Sequence, residues 1–201
     1  MPMEHEAKFI LIDSQEIRSK ILALNGHSDG RFFETNICYE DEKDSLIQKK
    51  SILRLRQDRK AWLTHKSPPT EANREVKTMN EIEVSVSDFE SMDQILIAVG
   101  FHQAQVYEKW RETFILDNAK LCLDTMPFGD FLEIESAPER VKSLAATLGL
   151  SWKKRVLDNY LTIFALLKKK EPLPFNDVTF ANFKDFQVDL NRYTSLLEAG
   201  S

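Results

Sequence analysis

The feature that most constrains this chain is an alternation of charged and apolar residues with a period of two, which recurs along most of its length. Successive side chains of a strand point to opposite faces, so each such segment has one wet and one dry face. Strands are expected near 3–11, 31–39, 51–57, 60–66, 75–86, 103–116, 119–125 and 131–136. Asp58-Arg59 and Asp117-Asn118 read as hairpin turns between them. Helical spacing interrupts the strands at 14–25, through Ile17, Ile21 and Leu24, and at 87–98, through Phe89, Met92, Ile95 and Leu96. A third helix is expected over 138–148, between Pro138 and Gly149, and a fourth over 155–168. Pro172 and Pro174 break the pattern before a last helix expected over 181–198, with Phe183, Phe186, Leu190 and Leu196-Leu197 on its apolar side. The polar loop 67–73 lies between strands and is a candidate lid.

Sorted by face, the strands oppose Glu4, Glu6 and Lys8 to Ala7, Phe9 and Leu11, and Arg54 and Arg56 to Leu53 and Leu55. They also oppose Thr64 and Lys66 to Leu63 and His65, and Glu81 and Glu83 to Ile82 and Val84. Lys109, Arg111 and Thr113 face away from Trp110 and Phe114, Asp124 from Leu121 and Leu123, and Glu133 and Glu135 from Leu132 and Ile134. A sheet with one solvated face gives this alternation without further cause, and for any single strand that reading stands. For the whole set two features oppose it. Solvated faces mix in Ser, Thr, Gln and Asn, whereas these positions are mostly full charges. The amphipathic helices can also cover the dry face, which leaves the charged face lining an interior, and eight strands enclose room for one small ligand.

Such an interior would be costly without a purpose, since like charges about 4 Å apart repel by roughly 4 kcal/mol at an effective dielectric of about 20. The expected lining holds six bases, Lys8, Arg54, Arg56, Lys66, Lys109 and Arg111, and seven acids, Glu4, Glu6, Glu81, Glu83, Asp124, Glu133 and Glu135. A triphosphate adds about −4 and two divalent cations about +4, so the filled site stays near neutrality. Basic side chains suit phosphate oxygens and carboxylates suit hard cations such as Mg²⁺ or Mn²⁺. Together they describe metal-assisted phosphoryl or nucleotidyl chemistry.

Glu4-His5-Glu6-Ala7-Lys8 has the form ExExK, and an ordered series follows it: Leu53-Arg54-Leu55-Arg56, Leu63-Thr64-His65-Lys66, Glu81-Ile82-Glu83, Lys109-Trp110-Arg111, Leu123-Asp124 and Phe131-Leu132-Glu133-Ile134-Glu135. With this series the chain resembles the triphosphate tunnel metalloenzymes of the CYTH superfamily, which include class IV adenylate cyclases and thiamine triphosphatase-like enzymes. The resemblance implies an α+β fold, a closed eight-stranded antiparallel barrel with helices packed outside. It implies a tunnel domain over 1–170 and a helical extension over 171–201 that packs on the barrel. Glu4, Glu6, Glu133 and Glu135 would hold Mg²⁺ or Mn²⁺, helped by Asp124. Lys8, Arg54, Arg56, Lys66, Lys109 and Arg111 would bind the phosphates and act in catalysis. Glu81 and Glu83 would be metal ligands, water-positioning groups or partners that orient the bases. The family's second strand often carries Tyr-Phe-Asp-Thr, from which Tyr39-Glu40-Asp41-Glu42 departs.

Other classes find little support. A net charge of −5 argues against a nucleic-acid coat, and no apolar run approaches the roughly 20 residues of a membrane span. The first residues lack the basic and apolar regions of a secretory signal, and Cys38 and Cys122 give no disulfide framework, so a cytoplasmic protein is expected. His5, His27, His65 and His102 have no zinc spacing, and no P-loop or GxGxxG stands in the chain. Lys168-Lys169-Lys170 reads as a solvated helix end, and Phe180, Phe183, Phe186 and Tyr193 as docking contacts. The expected partner is a small triphosphate (tripolyphosphate, thiamine triphosphate or a nucleoside triphosphate), with no nucleic acid and no membrane, and a homodimer is allowed. The leading expectation is triphosphate hydrolysis. The alternatives are a class IV adenylate cyclase, releasing cyclic AMP and pyrophosphate, and a non-catalytic polyphosphate- or nucleotide-binding module.

Overall fold

The computed structural model describes residues 3–71 and 75–199. The alternating segments form eight strands: β1 (Met3–Leu11), β2 (His27–Asp41), β3 (Ile52–Gln57), β4 (Ala61–Ser67), β5 (Lys77–Val86), β6 (Phe101–Leu116), β7 (Ala119–Met126) and β8 (Gly129–Glu135). All neighbours are antiparallel, and the order β1-β5-β4-β3-β2-β6-β7-β8 closes on itself. Closure leaves no free sheet edge, and it separates the two faces of every strand into barrel inside and barrel outside. β2 is longer than its pattern at both ends. Its register shifts between Ser28 and Arg31, where Gly30 takes a φ of 96°, so the extra residues bulge and escape the two-residue period.

Helices cover most of the apolar outside. Helices α1 (Ser14–Ala23) and α4 (Pro138–Thr147) bury Ile17, Ile21, Val141 and Leu144 against Phe9, Phe114, Leu121, Leu132 and Ile134. The four-residue α2 (Ser45–Gln48) follows β2. α3 (Phe89–Ala98) brings Leu96 onto Ile37, Tyr39 and Leu55, and the Tyr39 hydroxyl donates to Asp93 at 2.6 Å. The cover is incomplete over β5, where Ile82 and Val84 stay about half exposed. Each long helix begins at a residue suited to it: Asp13 and Asp88 accept the amides of Glu16 and Ser91, and Pro138 opens α4.

After α4 the chain departs from the expectation. No helix starts at 155, because Val156 is extended and pairs with Lys8 of β1 through two backbone hydrogen bonds of 3.1 and 2.8 Å. α5 (Tyr160–Lys168) starts only after Asn159, whose side chain accepts the Thr162 amide. The helix expected over 181–198 does not form. A short 3₁₀ turn at Leu190–Tyr193 and α6 (Thr194–Leu197) stand in its place, and Val178 pairs with β6 beyond the reach of β7. The apolar residues of this stretch, spaced as if for a helix, instead make an aromatic cluster. Phe175 and Phe183 lie 4.9 Å apart, and Phe128 and Phe164 close on Phe183 at 6.1 Å. Gly129 permits this docking: its φ is 151°, and a Cβ there would stand 2.4 Å from Leu190. The candidate lid keeps Ser67–Glu71 among the described residues, whereas Ala72 and Asn73 lie outside them. Among the described residues no helix is long and apolar enough to cross a membrane.

Candidate active site

The inward faces meet around a cavity of about 110 Å³. Every residue expected to bind phosphate or metal lines it, apart from Asp124, which lies buried behind Lys109 and Arg111. The barrel also brings in residues that the alternation did not single out: Lys77 from β5, Lys120 from β7, Cys38 and Tyr107 from β2 and β6, and Tyr160 from α5. Glu34 joins them through Lys109, 3.4 Å away. Adding Lys77 and Lys120 to the six expected bases, and Glu34 to the seven expected acids, corrects the tally to eight of each. Six of these acids line the cavity and Glu34 and Asp124 stand behind it, so the wall and its backing together are neutral.

The charges are paired in five groups. Lys8 bridges Glu6 at 3.0 Å and Glu133 at 2.9 Å, and Lys77 shares Glu6 at 2.7 Å. Lys66 pairs with Glu4 and lies 3.2 Å from Glu81. Asp124 receives Lys109 at 3.0 Å, Arg111 at 2.6 and 2.5 Å and the Tyr160 hydroxyl at 2.7 Å, while Arg111 also reaches Glu133. Glu83 accepts from Thr64 at 2.7 Å and faces Arg56 at 3.5 Å and Arg54 at 3.9 Å. Lys120 and Glu135 pair at 2.8 Å toward the more exposed side. Tyr160 ties the first and third groups together. The Lys8 and Lys109 ammonium groups lie 5.0 and 5.3 Å from its ring centroid.

These pairings hold the titrations far apart. Burial pushes the Glu6 carboxyl up, but Lys77 and Lys8 outweigh it and hold the group well below the carboxylate range. Glu133 behaves alike beside Lys8 and Arg111. Glu81 goes the other way: burial and then Glu4 raise it, against the opposing pull of Lys66. Lys77 is pulled down by burial, with Lys8 and Lys66 adding to the effect, by more than Glu6 restores. The Cys38 thiol is pushed up by burial to about 11, which makes it a poor nucleophile at neutral pH.

Glu34 gives a test of this wall. Burial raises its carboxyl, yet Lys109 and Arg111 bring it down to about 2 from the usual 4.5. A folded value below the unfolded one means that the unfolded chain takes up protons first as pH falls. Its contribution is then complete above about 4.5 and is lost as pH drops toward 2. Melting temperature should fall steeply over that window and less steeply in Glu34→Gln. Equal slopes for the two proteins would show that Glu34 is not held as described.

The donors fit a hard divalent cation in kind, since Glu4, Glu6, Glu133 and Glu135 offer only oxygen and Glu6 stands directly across from Glu135 on the paired strands β1 and β8. They fit in number only after their lysines turn away, because among the described residues no three acidic, His or Cys side chains converge to hold a metal. The departing motif Tyr39-Glu40-Asp41-Glu42 has a structural task. The buried Glu40 accepts the amides of Leu46 and Ile47, and Asp41 those of Lys43 and Ser45, which fixes α2. The contribution of β2 to the interior comes from Glu34, Asn36 and Cys38 instead, whose mixed chemistry hid the alternation there.

Comparison with known proteins agrees with this architecture. A Methanocaldococcus jannaschii protein, named as a candidate adenylate cyclase, is 26% identical over 137 residues, covering 67% of this chain and 77% of its own. A Vibrio parahaemolyticus structure, also a candidate adenylate cyclase, superposes with a TM-score of 0.73 at 19% identity, over 81% of this chain and 98% of its own. A Hippeastrum structure, described as an adenylyl cyclase candidate with a dominant triphosphatase activity, superposes with a TM-score of 0.61 at 19% identity, over 87% of this chain and 98% of its own. The CYTH domain family model matches residues 2–152, three quarters of the chain and every strand of the barrel, and the chain belongs to the CYTH family.

Proposed function

We propose that the chain is a divalent-metal-dependent enzyme that hydrolyses triphosphate substrates inside the barrel. The observation that carries this reading is the balance of eight bases lining one cavity against eight acids, six lining it and Glu34 and Asp124 buried behind it. A triphosphate brings about −4 into surroundings with no surplus of positive charge, so it needs cations of its own. Some of the bases then exchange partners. Lys8 and Lys66 would turn from carboxylate to phosphate oxygens, Lys109, Arg54, Arg56 and Arg111 would reach phosphate while keeping the carboxylates that orient them, and Glu4, Glu6, Glu133 and Glu135 would be free to hold Mg²⁺ or Mn²⁺. A cation held there would neutralise charge on the phosphoryl oxygens as the bond to the leaving group breaks.

The remaining groups set geometry. Asp124, with three hydrogen-bonding partners already, orients Lys109 and Arg111 and is not assigned as a metal ligand in this reading. Glu83 orients Arg54 and Arg56. Glu81, whose carboxyl is raised, is the group assigned to take the proton of the attacking water.

The name of the Methanocaldococcus relative favours a second reading, adenylate cyclisation in the same cradle. The products separate the two. With ATP and Mg²⁺ or Mn²⁺, hydrolysis releases orthophosphate, whereas cyclisation releases pyrophosphate and cyclic AMP in equal amounts. Orthophosphate as the main product is expected. Cyclic AMP as the main product would overturn hydrolysis and keep the site, and tight binding without turnover would point to a binding module.

A further inference from the structure

Two bases of the cavity, Lys77 and Lys120, have no phosphate assigned to them, and Lys77 stands beside the acids assigned to the metal. It opens β5 with its side chain on the inward face, directly across from Glu6 of β1. Glu6 faces Glu135 of β8 on its other side, so Lys77, Glu6 and Glu135 form one row across three strands. The Lys77 ammonium lies 2.7 Å from Glu6 Oε1, the oxygen that also takes Lys8 at 3.0 Å. Its side chain is mostly buried, and among the described residues Glu6 is the only carboxylate in ion-pair contact with it.

The other lysines near the assigned ligands are placed differently. Lys8 keeps Glu133 when Glu6 is taken from it, and Lys66 is shared between Glu4 and Glu81. Lys120 has Glu135 as its acid, but its side chain is 41% exposed and can turn to water. Lys77 has neither a second acid nor free access to water, and Lys8 and Lys66 repel it. A buried cation stripped of its one acid is strongly unfavourable. A divalent cation on Glu6 would strip it, and would bring a like charge of double weight beside the ammonium. Part of the free energy of metal binding would then go into displacing Lys77. A triphosphate changes that balance, because its oxygens accept from an ammonium as a carboxylate does, and Lys77 lines the cavity it enters.

We propose that Lys77 is an internal competitor of the metal: its ammonium holds Glu6 against a divalent cation until a triphosphate offers it oxygens of its own. Metal alone then binds weakly, and metal and triphosphate load together. The proposal rests on the metal-dependent triphosphate reading of the cavity and concerns how that site fills. It makes Lys77 a residue that sets metal affinity, with no part in the breaking of the phosphate bond.

The test is calorimetric binding of Mn²⁺ to the full chain at fixed ionic strength, first without triphosphate and then with tripolyphosphate. Lys77→Met removes the charge and keeps most of the length, and it should bind Mn²⁺ alone about tenfold more tightly than the wild type, within the usual range of coupling between two ligands. Lys77→Arg keeps the cation and should bind Mn²⁺ nearly as the wild type does. Arg56→Ala removes a cation from the same cavity whose acids are Glu83 and Asp58, not the assigned ligands, and should also leave Mn²⁺ affinity nearly unchanged. Adding tripolyphosphate should tighten Mn²⁺ binding strongly in the wild type and much less in Lys77→Met. Mn²⁺ alone should accordingly raise the melting temperature of Lys77→Met more than that of the wild type. Lys77→Gln, which still offers Glu6 a hydrogen bond, takes its place in these measurements if Lys77→Met does not melt cooperatively. Equal Mn²⁺ affinity with and without the Lys77 ammonium would overturn the competitor and leave the metal reading intact. An equal gain in Arg56→Ala would do the same, by showing a general effect of charge. No Mn²⁺ binding to any of these proteins, with or without tripolyphosphate, would overturn both.

Discussion

Removing divalent metal should abolish turnover of triphosphates, with a loss on the order of a thousandfold in excess chelator, since the charge stabilisation a bound cation supplies is several kcal/mol. The expectation follows from the balance of the cavity wall. With Glu34 and Asp124 behind the wall counted, eight acids balance eight bases, so a triphosphate entering alone would leave carboxylates such as Glu4 and Glu6 opposing it once their lysines had moved to phosphate. Binding should show the same coupling. Mg²⁺ and tripolyphosphate together should raise the melting temperature by more than the sum of their separate effects. Among ligand variants Glu135→Gln is the cleaner probe: it loses a metal oxygen while disturbing only Lys120, which is partly exposed. Glu133→Gln should lose activity too, but it also strips the buried Lys8 and Arg111 of a partner and should lower the melting temperature. Full turnover in chelator would end the metal reading. Normal activity in Glu135→Gln would remove that residue from the ligand set.

Much of this was legible in the sequence because a closed barrel turns a one-dimensional rule into an enclosed space. Wherever charged and apolar residues alternate strictly, as in 4–9 and 53–56, parity alone tells inside from outside, and the structure agrees strand by strand. Parity failed where the pattern was mixed or interrupted. Lys77 shares the parity of Glu81 and Glu83 on β5, but Thr78, Met79 and Asn80 stand between and break the run of charges. Lys120 follows a turn, and Glu34 stands on β2 among Asn36 and Cys38, which break the run of charges. Tyr160 was out of reach for another reason. It comes from a helix whose start is set by the pairing of Val156 with Lys8, a contact between residues 148 positions apart. The missing helix at 181–198 teaches the converse. Phe183, Phe186 and Leu190 have helical spacing, but Phe175, Phe128 and the Gly129 corner offer them better burial than a helix would.

The second large effect is a crossed pattern on β3, whose neighbouring residues serve opposite sides of the barrel wall. Leu55 is fully buried on the outside, among Ile37, Tyr39 and Leu96 beneath α3. Leu55→Asp would put an unpaired carboxylate there, at a cost of several kcal/mol against a total stability of about 5–15 kcal/mol, so the protein should largely fail to fold. Leu53 is only half-buried, and Leu53→Asp should cost distinctly less. Arg54 and Arg56 point inward, where each contacts Glu83 and Arg54 also holds Tyr107. Removing either guanidinium takes away a charge-assisted phosphate contact worth roughly 1.5–3 kcal/mol, about ten- to a hundredfold in triphosphate affinity. The fold should lose little by comparison, because Glu83 keeps Thr64 and the other arginine as partners. Melting temperature and triphosphate affinity, measured on Arg54→Ala, Arg56→Ala, Leu53→Asp and Leu55→Asp, therefore separate the two faces. The arginine variants should melt near the wild type and bind weakly, while Leu55→Asp should show no cooperative melting. If Arg54→Ala and Arg56→Ala bind triphosphate as the wild type does, the cavity is not a phosphate site, whatever its charges suggest.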